Sequence, residues 1–339
     1  MEIRKPYYYD AFRCLAGSCP DSCCKEWAVQ VDDTAAERYR LLPGDLGDTL
    51  RQVMTQEDGD TILTLTHDGR CPMWRRDGLC RIQAELGHDA LCHTCRQFPR
   101  LCHDYGNFVE LGLELSCPEA ARLIFSGDSA ISVQTLPGGE DPEYDATTMD
   151  ILLRGREEFL QFLDSGCLPV GQTLAVLLLY GYALQEEIDG GETAVFSPDD
   201  ALAAARQMAA PGNAAAILAF YEELEILTPR WRQLLGNPMP VSWSEPFRAL
   251  ARYFIQRHWL QAVSDFDLVG RVKFIITSCL VIKALGGDLQ ETAQLYSKEI
   301  ENDADNIEAI LDGAYTAPAL ADIGLLGLLL EESLCKNDC

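Results

Sequence analysis

The chain has 339 residues, of which 47% are apolar and 24% are charged, a balance typical of a globular protein and not of a disordered one. Its formal net charge of -26 is spread unevenly: residues 1–125 carry 14 lysines and arginines against 20 acidic residues, and residues 126–339 carry 13 against 33. Nucleic acids and anionic membranes both call for basic patches, so the composition argues against either as a partner.

The start of the chain predicts the compartment. It has no continuous apolar stretch followed by a small-residue cleavage site, so we expect no secretory leader. The longest apolar run, residues 174–184, is too short for a membrane span and predicts a buried core helix. We therefore expect a cytoplasmic protein, in which clustered cysteines bind metal or do redox chemistry, whereas an exported disulfide scaffold is the alternative.

Short elements are predicted for the first part of the chain. Residues 27–31 and 61–66 show the pattern of strands, the second ending in a turn at His67-Asp68-Gly69. A helix is expected to open at Asp33 and to be broken by Leu42-Pro43-Gly44, with a second helix over residues 45–55.

Further short elements are predicted around the cysteines that follow. Residues 81–86 predict a helical turn stopped by Gly87, and residues 89–97 predict another that ends at Phe98-Pro99. Residues 108–115 alternate as a half-buried strand. Pro118 opens a helix and places Cys117 at its start, where the helix dipole favours a thiolate.

The rest of the chain predicts helices after a linker. Residues 127–145 are rich in Gly, Ser, Pro and Asp and are expected to separate two domains. Apolar positions at helical spacing then predict helices at 146–164, 170–187, 198–209, 212–227, 244–263, 267–286, 289–300, 304–313 and 318–334. We expect a mostly α fold: a small α+β cysteine-rich metal-binding domain over residues 1–126, followed by an irregular, acidic α-helical domain over residues 146–339.

The cysteines carry the chemical signal. Ten of the fourteen lie within residues 1–117, and thiolates are ligands for either a tetrahedral zinc ion or an iron-sulfur cluster. Cys92 and Cys95 supply two ligands from one helical turn. Adjacent side chains diverge, so Cys23 and Cys24 can serve different sites, and the pattern leaves open one cluster with an additional site or with spare thiols.

Other residues near the cluster have simpler interpretations. Cys102 is interpreted as a buried small hydrophobe, and Cys335 and Cys339 as tail residues. The four nearby histidines are interpreted as surface or supporting residues rather than ligands; they are His67, His88, His93 and His103. No glycine-rich dinucleotide or phosphate-loop motif is present, and Cys19-x3-Cys23 is followed by Cys24, which does not match the spacing of a radical S-adenosylmethionine cluster loop.

Several of these motifs together resemble the flagellin lysine-N-methylase (FliB) family, and more distantly the YkgJ-type cysteine-cluster domains that chelate zinc or iron. The resemblance covers residues 7–125. Its motifs are Tyr9-Asp10-Ala11-Phe12-x-Cys14, Cys19-x3-Cys23-Cys24-x2-Trp27, Cys71-Pro72, Asp77-Gly78-Leu79-Cys80, Leu91-Cys92-x2-Cys95-Arg96-x2-Pro99-Arg100 and Leu115-Ser116-Cys117-Pro118-Glu119.

The resemblance implies methyl transfer from S-adenosylmethionine to lysines of flagellin, with a cysteine-bound iron-sulfur cluster, four-iron, four-sulfur, involved in the reaction and zinc as the alternative metal. The metal positions that carry over are Cys14, Cys19, Cys23, Cys24, Cys71, Cys80, Cys92, Cys95 and Cys117. No residue is assigned as the general base, because Glu110, Glu114 and Glu119 are equally well explained as a strand face and a first helical turn. The methyl-donor site is not located either.

A non-enzymatic reading also fits the residues. In it, the cysteines bind zinc or iron and hold a small domain together, while the acidic helical part binds a partner protein.

Overall fold

The computed structural model describes residues 1–57, 59–126 and 128–334, so Cys335 and Cys339 lie outside the described residues. The fold class is the expected one: two small sheets lie in the cysteine-rich part and a helical domain follows. Within the described ranges, no helix is both long and apolar enough to cross a membrane.

Strands lie only in the first part of the described chain. In chain order they are β1 (Glu2–Pro6), β2 (Val29–Gln30), β3 (Met54–Glu57), β4 (Asp60–Leu63), β5 (Arg100–Asp104), β6 (Phe108–Leu113) and β7 (Ile131–Thr135). One sheet has the order β5-β6-β1-β7, with β1 parallel to β6 and its other pairs antiparallel. The second has the antiparallel order β2-β4-β3.

Five short helices accompany these strands. They are α1 (Asp33–Leu41), α2 (Gly44–Val53), α3 (Arg81–Leu86), α4 (His93–Gln97) and α5 (Pro118–Ser126). Local signals set their ends: the side chain of Asp32 accepts a hydrogen bond from the Ala35 amide at the start of α1, and Gly87 ends α3 at a φ of 88°. The predicted helices at 81–86 and from Pro118 are confirmed.

The helical part contains eleven further helices within the described residues. They are α6 (Ala146–Ser165), α7 (Val170–Ile188), α8 (Pro198–Met208), α9 (Ala214–Glu222), α10 (Pro229–Gly236), α11 (Pro246–His258), α12 (Ala262–Asp265), α13 (Leu268–Leu285), α14 (Leu289–Tyr296), α15 (Ala304–Thr316) and α16 (Asp322–Leu334). Each of the nine predicted helical stretches contains a helix. The run 174–184 lies in α7, and eight of its eleven residues are buried, as expected of a core helix.

One π-helical segment, Ser297–Glu301, continues α14 and is buried along its whole length. Such segments are rare and often lie at functional sites, because they turn side chains away from the regular helical positions. Lys298, Glu299 and Glu301 all lie on it.

Apolar side chains form two cores. The larger core unites the helices with the four-stranded sheet and α5, through residues such as Phe12, Phe108 and Leu115. The smaller core is formed by α1, α2, the three-stranded sheet and five of the cysteines, with Tyr39 and Leu50 fully buried in it. The sheet that contains β1 and β6 thus packs with the helical remainder, and so does Cys117, whereas those five cysteines pack in the smaller core.

Some local expectations were wrong. The stretch expected as a linker contains β7, an exposed edge strand whose Gly-, Ser- and Pro-rich surroundings concealed it. Strand 61–66 ends at Leu63, and the turn over 89–97 is interrupted at Leu91 and Cys92 before α4 begins. Strands β1, β3 and β5 and helix α10 were not predicted, since their mixed polar sequences show no clear period.

Candidate metal centre

The nine cysteines predicted as metal ligands divide into two groups according to which thiols interact electrostatically. The first group is Cys24, Cys71, Cys80, Cys92 and Cys95. The second group is Cys14, Cys19, Cys23 and Cys117. The two groups meet at Cys23, which interacts with both Cys24 and Cys95, so the fold brings thiols from four separated segments into one region.

Backbone hydrogen bonds hold the first group together. The amide of Cys71 donates to the carbonyl of Cys24 at 2.8 Å, which ties the two segments together. Trp74 and Cys80 form an isolated antiparallel bridge, and the amide of Arg81 donates to the carbonyl of Met73 at 2.7 Å. The thiols of this group are therefore positioned by main-chain contacts between segments.

Cys92 and Cys95 occupy the start and first turn of α4. A hydrogen bond between the two thiols lowers the pKa of Cys92 to about 7 and raises that of Cys95, whose burial adds to the rise. The amide of His93 donates to Asp32 at 2.7 Å, so the residue that caps α1 also fixes the start of α4. This arrangement keeps one thiolate of the pair available near neutral pH.

Cys23 and Cys24 form a second thiol pair. Their mutual hydrogen bond lowers the pKa of Cys24 to about 7 and raises that of Cys23. Cys24 interacts with the thiols of Cys71 and Cys80, whereas Cys23 interacts with those of Cys14 and Cys117; both also interact with the thiol of Cys95. The two thiols are close enough to share a hydrogen bond, so the side chains do not diverge as expected, and the assignment of Cys23 and Cys24 to different sites stays a prediction.

Cys117 stands at the start of α5 and is 8% exposed. Burial raises its pKa to about 11, although the amides of Ala120 and Glu119 donate to the thiol and pull the pKa down. The expectation that the helix start would favour the thiolate is therefore outweighed by desolvation. In the same group, burial also raises the pKa of Cys19.

The donor chemistry of these residues fits a thiolate-ligated metal. None of the twelve described cysteines forms a disulfide. As the side chains are placed, no three His, Cys, Asp or Glu residues of the described ranges converge closely enough to hold one ion. The site presents two thiol pairs and their neighbours, and the ligand set remains a prediction.

The remaining candidates lie away from the thiols or at the surface. Cys102 is exposed on β5, so its interpretation as a buried hydrophobe was wrong: its side chain lies on the side of an outer strand that faces solvent. His67, His88 and His93 are exposed, as expected of surface residues. His103 is half-buried and lines a cavity described below.

A buried lysine that was not predicted from the sequence anchors the first cysteine segment to the helical part. Lys298 is 1% exposed, and its Nζ lies 2.6 Å from Glu26 Oε2 and 3.4 Å from Asp21 Oδ2. Its ammonium also lies 4.8 Å from the centre of the Trp27 ring, within the range of a cation-π contact. We call Lys298, Asp21, Glu26 and Trp27 the lysine clamp.

Two further observations reinforce the lysine clamp. Gln294 donates to Asp21 at 3.0 Å and to the Ser116 carbonyl at 2.6 Å, so the same helix holds both cysteine segments of the second group. Glu26 has a φ of 78°, a left-handed conformation that non-glycine residues rarely adopt. Burial raises the pKa of Asp21, but Lys298, Lys25 and Gln294 bring it below its ordinary value.

A buried polar network lies next to this region. Glu301 is fully buried and accepts hydrogen bonds from Tyr253 at 2.9 Å and His258 at 2.8 Å, with Arg257 at 3.0 Å as its ion-pair partner. The hydroxyl of Tyr253 in turn accepts from the Leu115 amide at 3.2 Å. The π-helical segment therefore connects the end of β6, just before Cys117, with α11.

Comparison with known proteins gives three relatives. The chain is 33% identical over 146 residues to the flagellar biosynthetic protein FliU of Salmonella muenchen, an alignment that covers 39% of this chain and 82% of the relative. It is also 33% identical over 146 residues to the lysine-N-methylases of Salmonella typhimurium and Salmonella choleraesuis, covering 39% of this chain.

The alignments with the two lysine-N-methylases span 35% of their length, about a third of each relative. No family model matches the chain. No solved structure matches it either.

Proposed function

The chain belongs to the family of FliU and the FliB-type lysine-N-methylases, and on that premise we propose that it is a protein-lysine N-methyltransferase acting on flagellin. The methyl donor in this proposal is S-adenosylmethionine, and the thiols hold a metal centre. The observation that carries the proposal is the match to relatives named lysine-N-methylase, together with nine thiols gathered in two adjoining groups.

The two groups suggest how the metal is held. In our proposal the first group, which has five thiols, supplies the four ligands of an iron-sulfur cluster, and the second group holds an additional metal ion or spare thiols. Thiolates are soft anionic donors, and the lowered pKa of Cys24 and of Cys92 keeps one thiolate available in each thiol pair. A bound cluster would supply a redox-active, electron-rich centre held by these thiols; zinc is the alternative metal.

The reaction itself constrains the substrate. The neutral ε-amine of a lysine attacks the donor methyl carbon, the carbon-sulfur bond breaks with its electron pair going to sulfur, and the amine loses a proton. A lysine ammonium is therefore the form that must be deprotonated first. The net charge of -26 favours the approach of a lysine-bearing protein surface through long-range attraction. We also place the reaction in the cytoplasm, where free thiols such as these persist.

The test is to purify the chain without oxygen, record its absorption spectrum and metal content, and co-express it with flagellin. We expect a brown, iron- and sulfide-containing protein and flagellin whose lysines carry methyl groups by mass spectrometry. Cys95→Ser should lose both, whereas Cys167→Ser, an exposed cysteine outside both groups, should keep both.

Two outcomes contradict the proposal in different ways. Stoichiometric zinc without flagellin methylation indicates a non-enzymatic metal-binding module. Methylation that persists in the Cys95→Ser variant separates the activity from the thiols.

A further inference from the structure

A cavity of about 690 Å³ lies between the four-stranded sheet and helices α6 and α11. Its volume falls within the range of roughly 300–1,000 Å³ that is usual for small-molecule sites. None of the nine candidate metal ligands lines it. The cavity adjoins the buried network through Tyr253 and Arg257 and has no role in the chemistry described so far.

One face of the sheet forms the floor of the cavity. Strand register places Arg4 opposite Glu110 and Glu110 opposite His103, so these three side chains form one polar row. Leu101 lies opposite Gly112 in the next row on the same face, because side chains alternate across a strand. The floor is therefore polar along one row and apolar along the other.

Gly112 leaves that floor open. It stands inside β6, where glycine weakens a strand and often marks the close approach of a ligand. A Cβ atom added there would meet nothing closer than Leu101, at 3.8 Å. The missing side chain therefore creates room and relieves no clash.

The charges around the cavity are balanced, although the chain is strongly acidic. Four arginines and four carboxylates line it: Arg4, Arg156, Arg252 and Arg257 with Glu2, Glu110, Glu157 and Asp164. Arg156 holds both oxygens of Glu110, with one contact at 2.8 Å, and Arg252 pairs with Asp164. With both signs of charge around it, the cavity suits a ligand that has a carboxylate for the guanidinium groups and a cationic group for the carboxylates.

His103 adds an unused hydrogen-bonding group to the floor. Its Nε2 is buried and has no partner within the described parts of the chain. Burial, and then the charge of Arg257, lowers the pKa of His103, so the ring is neutral near neutral pH. Buried polar atoms are almost always paired, which points to a partner supplied by a ligand.

We propose that this cavity binds the methyl donor, S-adenosylmethionine. The inference rests on the proposed methyltransferase function and gives it a donor site. The amino-acid carboxylate of the donor suits the arginines, its amino and sulfonium cations suit the carboxylates, and its purine suits the apolar row and the leucines of α6, Leu153 and Leu160. A zwitterionic ligand with an extra cation matches this mixture of charges.

The test measures the binding of S-adenosylhomocysteine to the full chain, purified without oxygen, by titration calorimetry. Gly112→Val fills the floor, and a β-branched residue suits a strand. Gln161→Trp fills the cavity from an exposed position on α6, where folding tolerates the change. Cys102→Val is the matched control, since it adds a similar side chain to β5 on the opposite face of the sheet.

We expect the wild type and Cys102→Val to bind equally well, and both cavity variants to bind at least about tenfold more weakly, a loss of about 1.4 kcal/mol. Transfer of labelled methyl groups to flagellin is measured on the same samples. Unchanged binding in a folded Gly112→Val and in Gln161→Trp overturns this donor site, while methylation by the wild type keeps the proposed function intact. A wild type that neither binds the analogue nor methylates flagellin overturns both.

Discussion

Glu299 is a buried acid whose titration should set the pH dependence of stability. It is 1% exposed; its Oε2 accepts a hydrogen bond from the Leu227 amide at 2.8 Å, and its Oε1 has no partner within the described chain. Burial raises its pKa from 4.5 to about 7, although Thr228, Leu227 and Lys298 act in the opposite direction. Between these two pKa values, Glu299 therefore holds a proton in the folded chain that it has released in the unfolded chain.

The sign of the effect follows from that difference. Between pH 4.5 and pH 7 the native state binds more protons than the unfolded state. The stabilisation that protonated Glu299 gives the fold is therefore complete below pH 4.5 and is lost as the pH rises through 7. A difference of roughly 2.5 pKa units corresponds to about 3 kcal/mol. Glu299→Gln is neutral at every pH and keeps the shape of the side chain. It should therefore be more stable than the wild type at pH 8, by up to about 3 kcal/mol.

The assay is urea unfolding of the wild type and Glu299→Gln at pH 5 and pH 8, in the same metal-loaded state. The difference between the two proteins cancels contributions from the thiols. Glu308→Gln, an exposed carboxylate on α15, is the control and should follow the wild type. If the wild type and Glu299→Gln differ by the same amount at both pH values, Glu299 is not protonated in the folded chain and the reasoning fails.

Three further predictions test the lysine clamp, the two cores and the backbone. Lys298→Met leaves Asp21 and Glu26 without their buried partner, so it should lower the free energy of unfolding by about 2 kcal/mol and weaken metal retention. Lys5→Met removes one partner of an exposed ion pair and should do neither. Equal effects of the two variants in thermal unfolding and metal analysis would refute the clamp. Removing metal with a chelator should expose the smaller core but keep most of the helical signal in far-ultraviolet circular dichroism, because α6 to α16 belong to the larger core. Complete loss of that signal would contradict the division into two cores. Gly286→Ala should destabilise the chain by more than about 2 kcal/mol, because its φ is 68° and a Cβ atom would lie 1.7 Å from the Met239 carbonyl oxygen. Gly236→Ala places its Cβ atom in open space and should leave the stability nearly unchanged in the same thermal unfolding experiment.

The sequence was sufficient where a local residue sets the structure. Gly87 ended α3, Pro118 opened α5, and apolar spacing placed most of the helices from α6 onward, although not α10, because each depends on neighbours within a few residues. These features need no knowledge of distant contacts.

Features that depend on distant residues were not predictable. Strand β1 lies between β6 and β7, so its pairing depends on residues more than 100 positions away. The same is true of the lysine clamp, because Lys298 is one of 13 lysines and arginines in residues 126–339 and no local pattern assigns its partners. The cavity over Gly112 arises only once the sheet meets α6 and α11.

The distance along the chain between the two sides of the lysine clamp has a consequence for biosynthesis. Asp21 and Lys298 are 277 positions apart, so the first cysteines leave the ribosome long before their anchor exists. At about 5–20 residues per second, this interval lasts roughly 15 to 55 s. During that time the nascent thiols are accessible to oxidants and to metal-delivery proteins, which places the final closure of the centre after synthesis of the helical part.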